Sequence, residues 1–353
     1  MTDLFKKILK EEESLFKDQL VLDYEYMPPD VKGREKEKEF IAICLKPLFF
    51  NKTGKNIFIY GLPGIGKTVS CRHVLQELKK ETDEIKPVYV NCWKKNSAHK
   101  VVLEICNQVG YKFIANRTTE ELIDKISRIL NKNASVIILD ECDKLKKDVD
   151  FLYTLIEDLT KKSIILLTNN KEWLDTLDSR IKSRLILEEL EFLPYNMQET
   201  LNILTQRANY AFFPNVIGEE ALELIAEKAY EAQDVRSGIY LLKESGDIAE
   251  FDASREINKE HAQKAIDKLN KLNVRSDRIE NKDGKILKII KENNNKTTSE
   301  IHKIYGDDIS YKTFLRRLKD LEKNHLVELV EENKGEGKRT RVKIKEFKTI
   351  NEF

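Results

Sequence analysis

Residues 61–68 read GLPGIGKT, directly after the apolar run NIFIY (56–60) and directly before VSCRHVLQELKK, and no other stretch narrows the possible folds so far. The pattern G-x-x-x-x-G-K-[ST] between a strand and a helix is a phosphate-binding loop. Glycines let successive backbone N–H groups turn inward around phosphate oxygens, and the helix N-terminus adds its partial positive charge. Gly61, Pro63, Gly64, Ile65 and Gly66 form the expected cradle, continued by Lys67, Thr68 and Val69 at the helix start. Lys67 is expected to neutralise the β/γ oxygens of ATP, or the β oxygens of ADP, and Thr68 to hold Mg2+.

A loop of this kind needs a sheet behind it. Short apolar runs rich in β-branched residues recur at Asn56 to Tyr60, Val88 to Asn91, Val136 to Leu139 and Ile164 to Leu167, with helical patterns between them. Runs that are apolar on both faces predict a parallel sheet covered by helices on both sides, an α/β fold. The run VIILDECD places Asp140 and Glu141 at the C-terminal end of its strand, the sheet edge where ligands bind in such folds. Asp140 is expected to bind Mg2+, through water, and Glu141 to orient and deprotonate an attacking water. Cys142 and Asp143 are read as bystanders.

From about Pro194 strand patterns cease, and MQETLNILTQRANYAF, GEEALELIAEKAYEA, VRSGIYLLKESGDIAEF and NKEHAQKAIDKLNKL predict an all-helical second domain. The polar stretch Asn273 to Gly284 reads as a linker. Beyond it, three helical patterns and the strand-like VELVE and RVKIK around the turn NKGEGK predict a winged helix-turn-helix. The expected domains are a base over 1–193, a helical lid over 194–272, the linker over 273–284 and the winged helix over 285–348.

Charge supports a nucleic-acid role for that last domain. The chain balances 62 basic against 61 acidic residues, yet residues 285–353 hold 17 Lys/Arg against 12 Asp/Glu. In the helix 310–323, Tyr311, Phe314, Leu315, Leu318 and Leu321 fall on one face, while Lys312, Arg316, Lys319 and Lys323 form a stripe on another. Ser310 is suited to cap it. Lys334, Lys338 and Arg339, with Arg341 and the glycines 335 and 337, make the wing tip basic as well, so both elements are expected to grip double-stranded DNA. A solvated helix face or a protein-docking winged helix remains the alternative reading of the same stripe.

The five cysteines (44, 71, 92, 106 and 142) are widely spaced, which argues against a zinc site or disulfide framework and for small buried fillers. No run approaches the ~18 to 20 apolar residues of a membrane helix, and Glu11 to Glu13 interrupt the N-terminal region, so a cytoplasmic, nucleoid-associated protein without membrane contact is expected.

Taken in order, YMPPDVKGREKE, NIFIYGLPGIGKT, VYVNCW, VIILDECD, LLTNN, LDSRIKSRL, LPYNMQETLNILTQRA and DVRSGIYLL, followed by the winged helix, resemble the AAA+ replication initiators of the origin recognition complex and cell-division-cycle-six family. The resemblance implies an AAA+ sheet, a helical lid and a winged helix. It implies that Asn169 is the polar sensor of the γ-phosphate or attacking water. It implies that Arg184, with Arg180 in reserve, is a finger reaching a neighbouring subunit's nucleotide, and that Arg236 is the lid's sensor. The chain departs from the family's usual Gly-Asp-Ala-Arg here, reading Gln233, Asp234, Val235 and Arg236, with Gly238 loosening the helix. Tyr195 and Arg207 match lid positions that pack on and polarise the nucleotide. The segment Trp93 to Tyr111, with Lys94, Lys95 and Lys100, resembles a further DNA-facing helical motif, and these lysines equally suit a solvated surface.

The implied function is an ATP-switched initiator that binds origin DNA and helps load the minichromosome maintenance helicase, with weak ATPase activity and self-assembly on DNA or with a paralogue. A nucleotide-sensing transcription regulator and a clamp-loader-like protein remodeller are the alternatives. Retained Glu141 and Arg184 argue against a passive sensor.

Overall fold

The computed structural model describes residues 14–146, 148–271, 286, 289–290, 293, 296–306, 309–323, 327–333 and 338–344. The chain forms two compact units, Met1–Ile266 and Asp267–Phe353.

In the first unit a five-stranded sheet has the order β2-β3-β4-β1-β5, with β1 Asn56–Tyr60, β2 Ile85–Asn91, β3 Ala134–Asp140, β4 Lys162–Thr168 and β5 Leu187–Glu191. All neighbouring pairs are parallel. The alternation of the strands sorts the core into two layers. Phe58, Val88, Val90, Ile137, Leu139, Ile164 and Leu166 face α3 (Ala98–Gln108), α4 (Thr119–Leu130), α5 (Phe151–Asp158) and α6 (Ser179–Leu185). Ile57, Ile59, Val136, Ile138, Ile165 and Leu167 face α1 (Glu35–Leu45) and α2 (Lys67–Glu81). Residues two apart share a face, so one strand feeds both layers and the sheet is sealed on both sides.

The sequence reading stops at four strands, and β5 is the one it misses. LEELE carries three carboxylates and sits only half-buried on the sheet edge, where low β-propensity is tolerated because β1 supplies the pairing register, Asn56 opposite Leu187. Lys55 Nζ bridges Glu188 at 2.7 Å beside it. All five cysteines are buried and free, as their composition suggested.

The lid helices follow as α7 (Met197–Ala211), α8 (Glu219–Glu231) and α9 (Val235–Phe251), with residues 259–271 also helical. Gly238 has a different role from a loosened helix. A Cβ there would lie 2.7 Å from Leu204 Cδ1 and 2.9 Å from Ala229 Cβ, so the glycine lets α7, α8 and α9 approach closely. Gly238→Ala therefore gains helix propensity of about 1 kcal/mol but overpacks an interface with no slack, and a net loss of ~1 to 2 kcal/mol is expected in urea melts. A variant as stable as its parent would show that α8 and α9 can part freely.

Residues 14–22, although N-terminal, dock on these helices. Phe16 pairs with Phe212 as an isolated bridge, Lys17 N–H donates to Ala211 O at 2.8 Å, and Ser14 Oγ donates to Glu250 Oε1 at 2.7 Å.

In the second unit α10 (Thr298–Tyr305), α11 (Tyr311–Lys323) and the antiparallel hairpin β6 (Val327–Asn333) and β7 (Lys338–Ile344) surround a core of Ile286, Ile290, Ile301, Tyr305, Phe314, Leu318, Leu321, Val327 and Val342. Ile286, Ile289 and Ile290 are helical, and most of the first helix expected there lies outside the described residues. Among the described residues no helix is long and apolar enough to cross a membrane.

Candidate functional site

The loop 61–66 connects the C-terminal end of β1 to α2, and its backbone is held in conformations that glycine alone adopts easily. Gly64 has φ +74°, and a Cβ there would collide with the Asp234 carboxylate at the start of α9; Gly66 has φ +93°, and a Cβ would strike the Tyr195 hydroxyl. Val235 N–H donates to Gly64 O at 3.3 Å, so lid and loop are in direct contact.

Lys67 is buried and donates to Gly61 O at 2.9 Å, Leu62 O at 2.6 Å and Asn169 Oδ1 at 2.7 Å. Burial pushes its ammonium pKa down to about 8, against the pull of Asp140, so an incoming phosphate would find a poorly solvated cation. Asn169 reaches this point because β4 lies beside β1 in the sheet and ends one residue before it.

Thr68 Oγ1 donates to Asp140 Oδ2 at 2.7 Å, although the two are 72 residues apart in sequence. A hydroxyl and a buried carboxylate side by side form a hard-oxygen pair that fits a divalent cation also held by phosphate and water. Glu141 has left-handed backbone geometry, φ 53°, a conformation that is strained for a side-chain-bearing residue. Its Oε2 is buried without a hydrogen-bond partner, and burial with the Asp140 charge raises its pKa. An unpaired, basic carboxylate oxygen at this edge is suited to accept a proton from water. Asp143 holds the turn after it to β4, accepting from Thr168 Oγ1 at 2.9 Å.

These groups meet in a cavity of about 510 Å3 lined by the phosphate loop, the ends of β2, β3 and β4, the lid and the segment 24–32. Lys67, Thr68, Asp140, Glu141, Asn169 and Arg236 all line it. Arg236 lies in the first turn of α9, whose N-cap Asp234 accepts from its N–H at 2.8 Å. Arg184 and Arg180 do not line this cavity. Both project from α6, Arg184 pairing with Glu157 at 3.0 Å and Arg180 with Asp178 at 3.1 Å.

Tyr195 and Arg207, the two other lid positions expected at the nucleotide, also line the cavity and make packing contacts beside it. Tyr195 is buried under Arg34, whose guanidinium carbon lies 3.9 Å from the ring centroid, so the ring backs the loop at Gly66. Arg207 donates to Val21 O at 2.9 Å and Tyr26 O at 3.3 Å, pinning the segment 21–26 to α7. That segment continues into Tyr24–Lys32, which lines the cavity, and Lys94 pairs with its Glu25 at 2.9 Å while Lys95 pairs with Glu104 at 3.1 Å. Lys100 donates to Asn96 Oδ1 at 3.0 Å.

Sequence reasoning missed Arg34. Only 4% exposed, it donates twice to Ile65 O, at 3.1 and 2.8 Å, and to Leu193 O at 2.6 Å, tying the phosphate loop to the start of the lid. The stretch GREKEKE gives no local sign of which cation is buried.

In the second unit, Phe314, Leu318 and Leu321 of α11 are buried, and Lys312, Arg316 and Lys319 are exposed. The faces divide by the helical period except at Tyr311, which the sequence places on the apolar face but whose position in the first turn leaves it 39% exposed; Ser310 Oγ accepts from Thr313 N–H at 3.3 Å. The side chains of Lys323, Lys338 and Arg339, and all of Lys334, lie outside the described residues.

The chain matches the AAA domain family over residues 51–174 and the Cdc6 AAA+ ATPase-type lid domain family over residues 201–267. The ORC1-type DNA replication protein of Pyrococcus furiosus is 33% identical over 288 residues, covering 76% of this chain and 68% of the relative. That of Methanocorpusculum labreanum is 34% identical over 289 residues, covering 75% and 68%. Among solved structures, the Aeropyrum pernix ORC1 protein in complex with DNA superposes with a TM-score of 0.70 at 26% identity, over 94% of both chains. The Aeropyrum pernix ORC2 protein, solved as ADPNP-ADP complexes, shares the fold with a TM-score of 0.67 at 22% identity, again over 94% of both chains.

Proposed function

The chain belongs to the archaeal-type origin recognition complex and cell-division-cycle-six family of AAA+ replication proteins, and we propose that it is an ATP-switched, DNA-binding replication initiator. One observation carries the switch: the phosphate loop, Asp140, Glu141 and the lid's Arg236 line a single cavity between base and lid. A nucleotide there touches both parts, so its phosphates bias the angle between them.

In this reading Lys67 and the loop N–H groups hold the phosphates, and Thr68 and Asp140 hold Mg2+. The cation, when bound, withdraws charge from the phosphate oxygens. Glu141 Oε2 takes the proton of the attacking water. Asn169 fixes Lys67 through its Oδ1, and its amide is the polar group offered to the γ-phosphate or the attacking water. Arg236 adds charge from the lid. Arg184, on an exposed face outside its own cavity, suits a finger offered to the nucleotide of a neighbouring copy or paralogue.

In this reading the base spans 1–193, the lid 194–272 and the winged helix 285–348, with the linker 273–284 between the last two. In the winged helix, α11 enters the major groove and the wing tip of Lys334, Lys338 and Arg339 follows the backbone of origin DNA; bound DNA and ATP together recruit the minichromosome maintenance helicase. Replacing Arg316 and Lys319 with Ala leaves the buried face of α11 intact, so stability should change by no more than ~0.5 kcal/mol per site. Duplex affinity should fall on every sequence, and the slope of log K against log salt should shrink by about 0.9 for each phosphate no longer neutralised; a base-reading Arg316 would instead relax preference at one position by ~1 to 3 kcal/mol. A titration showing unchanged affinity and slope would leave the helix as a protein-docking surface. Chromatin immunoprecipitation tests the whole reading: a sharp peak beside a replication start is expected, and peaks at promoters alone would favour the transcription regulator.

A further inference from the structure

Tyr89 lies outside the motifs that carry the nucleotide chemistry, yet its hydroxyl donates to Asp140 Oδ2 at 2.7 Å, the same oxygen that accepts from Thr68. The sheet brings it there. β2 and β3 run parallel with Tyr89 opposite Ile138 and Asn91 opposite Asp140, so Tyr89 and Asp140 stand one pleat apart on the same face. A phenol spans that diagonal where a shorter side chain would fall short.

The residue is also held in place. Its backbone N–H and C=O are both taken by the Gln108 side-chain amide, at 3.0 and 2.7 Å, and the Arg72 guanidinium lies 5.6 Å from its ring centroid. Its partner is a carboxylate oxygen, so the hydroxyl is the donor of this bond.

We propose that Tyr89 is a positioning residue for Asp140, fixing the rotation of the carboxylate so that it presents an oxygen lone pair, through water, to the cation that Thr68 holds. This rests on the Mg2+ reading of Thr68 and Asp140. Among the described residues, the hydrogen bonds to the Asp140 carboxylate come from Thr68 and Tyr89. Once the Thr68 oxygen turns to a cation, the Tyr89 donor is what remains to hold the carboxylate, and loss of such an outer partner weakens metal binding about 10- to 100-fold.

The test uses the full chain and Tyr89→Phe, which keeps the ring and its packing. The dissociation constant of a fluorescent ATP analogue is measured in excess EDTA and across a Mg2+ titration, and Mn2+ binding to the ADP complex is followed by electron paramagnetic resonance. Affinity in EDTA should match the parent within about twofold, while the Mg2+ midpoint rises about tenfold or more and Mn2+ binding weakens in step. p-Aminophenylalanine at position 89, which keeps a donor at similar reach, should restore the midpoint; it also serves as the comparison if the Phe variant melts early. A parent that responds to Mg2+ and a Phe variant with the same midpoint would overturn the role of Tyr89 alone. A parent whose nucleotide affinity ignores Mg2+ would overturn the Thr68 and Asp140 reading, and this proposal with it.

Discussion

Glu141→Gln is expected to bind ATP at least as tightly as the parent while hydrolysing it ~10² or more times slower. Gln keeps the size of the side chain and the strained turn at φ 53°, so the edge of the sheet should not rearrange. What it loses is the basic oxygen. Oε2 is buried with no hydrogen-bond partner, and burial together with Asp140 raises the pKa of the carboxyl, which makes it a better acceptor for the proton of an attacking water. The substitution also removes a negative charge from the edge that receives the phosphates, so retention of ATP should lengthen. Single-turnover hydrolysis and filter binding on the same preparation separate the two effects. Hydrolysis at the parental rate would assign the base elsewhere.

Lys67→Ala should abolish tight nucleotide binding. A charge-assisted hydrogen bond contributes about 1.5 to 3 kcal/mol, and a lysine that serves two phosphates would lose two of them, so affinity should drop at least ~10²-fold. Burial makes the loss larger than for a surface lysine, since the cation is already stripped of water and held by Gly61 O, Leu62 O and Asn169 Oδ1. The helical content and melting transition should persist, because α2 keeps its packing through Cys71, Val74, Leu75 and Leu78. Unchanged ATP affinity in a folded variant would remove the phosphate loop from the site.

Much of the candidate site was legible because its chemistry is local in the chain. A strand, six loop residues and a helix start follow one another between 56 and 69, and each imposes its own composition. Asp140 and Glu141 were legible for the same reason, at the end of an apolar run. The two faces of α11 followed from helical periodicity, which survives in the buried Phe314, Leu318 and Leu321 and the exposed Lys312, Arg316 and Lys319. β5 was not legible, because an edge strand half-open to water need not be apolar.

By itself the sequence determined where phosphate can be cradled, which strand end carries the carboxylates and which helix face is basic, since these depend on residues within one or two turns or pleats of each other. Only the tertiary structure decided that Thr68 touches Asp140, that Arg34 ties Ile65 to Leu193, that Arg207 secures the 21–26 segment and that Tyr89 reaches the Asp140 carboxylate. Those pairings cross 31 to 186 positions of chain, with Tyr89 and Asp140 51 apart. They arise from strand register and helix docking, where burial makes most polar groups find a partner whose identity no local pattern encodes.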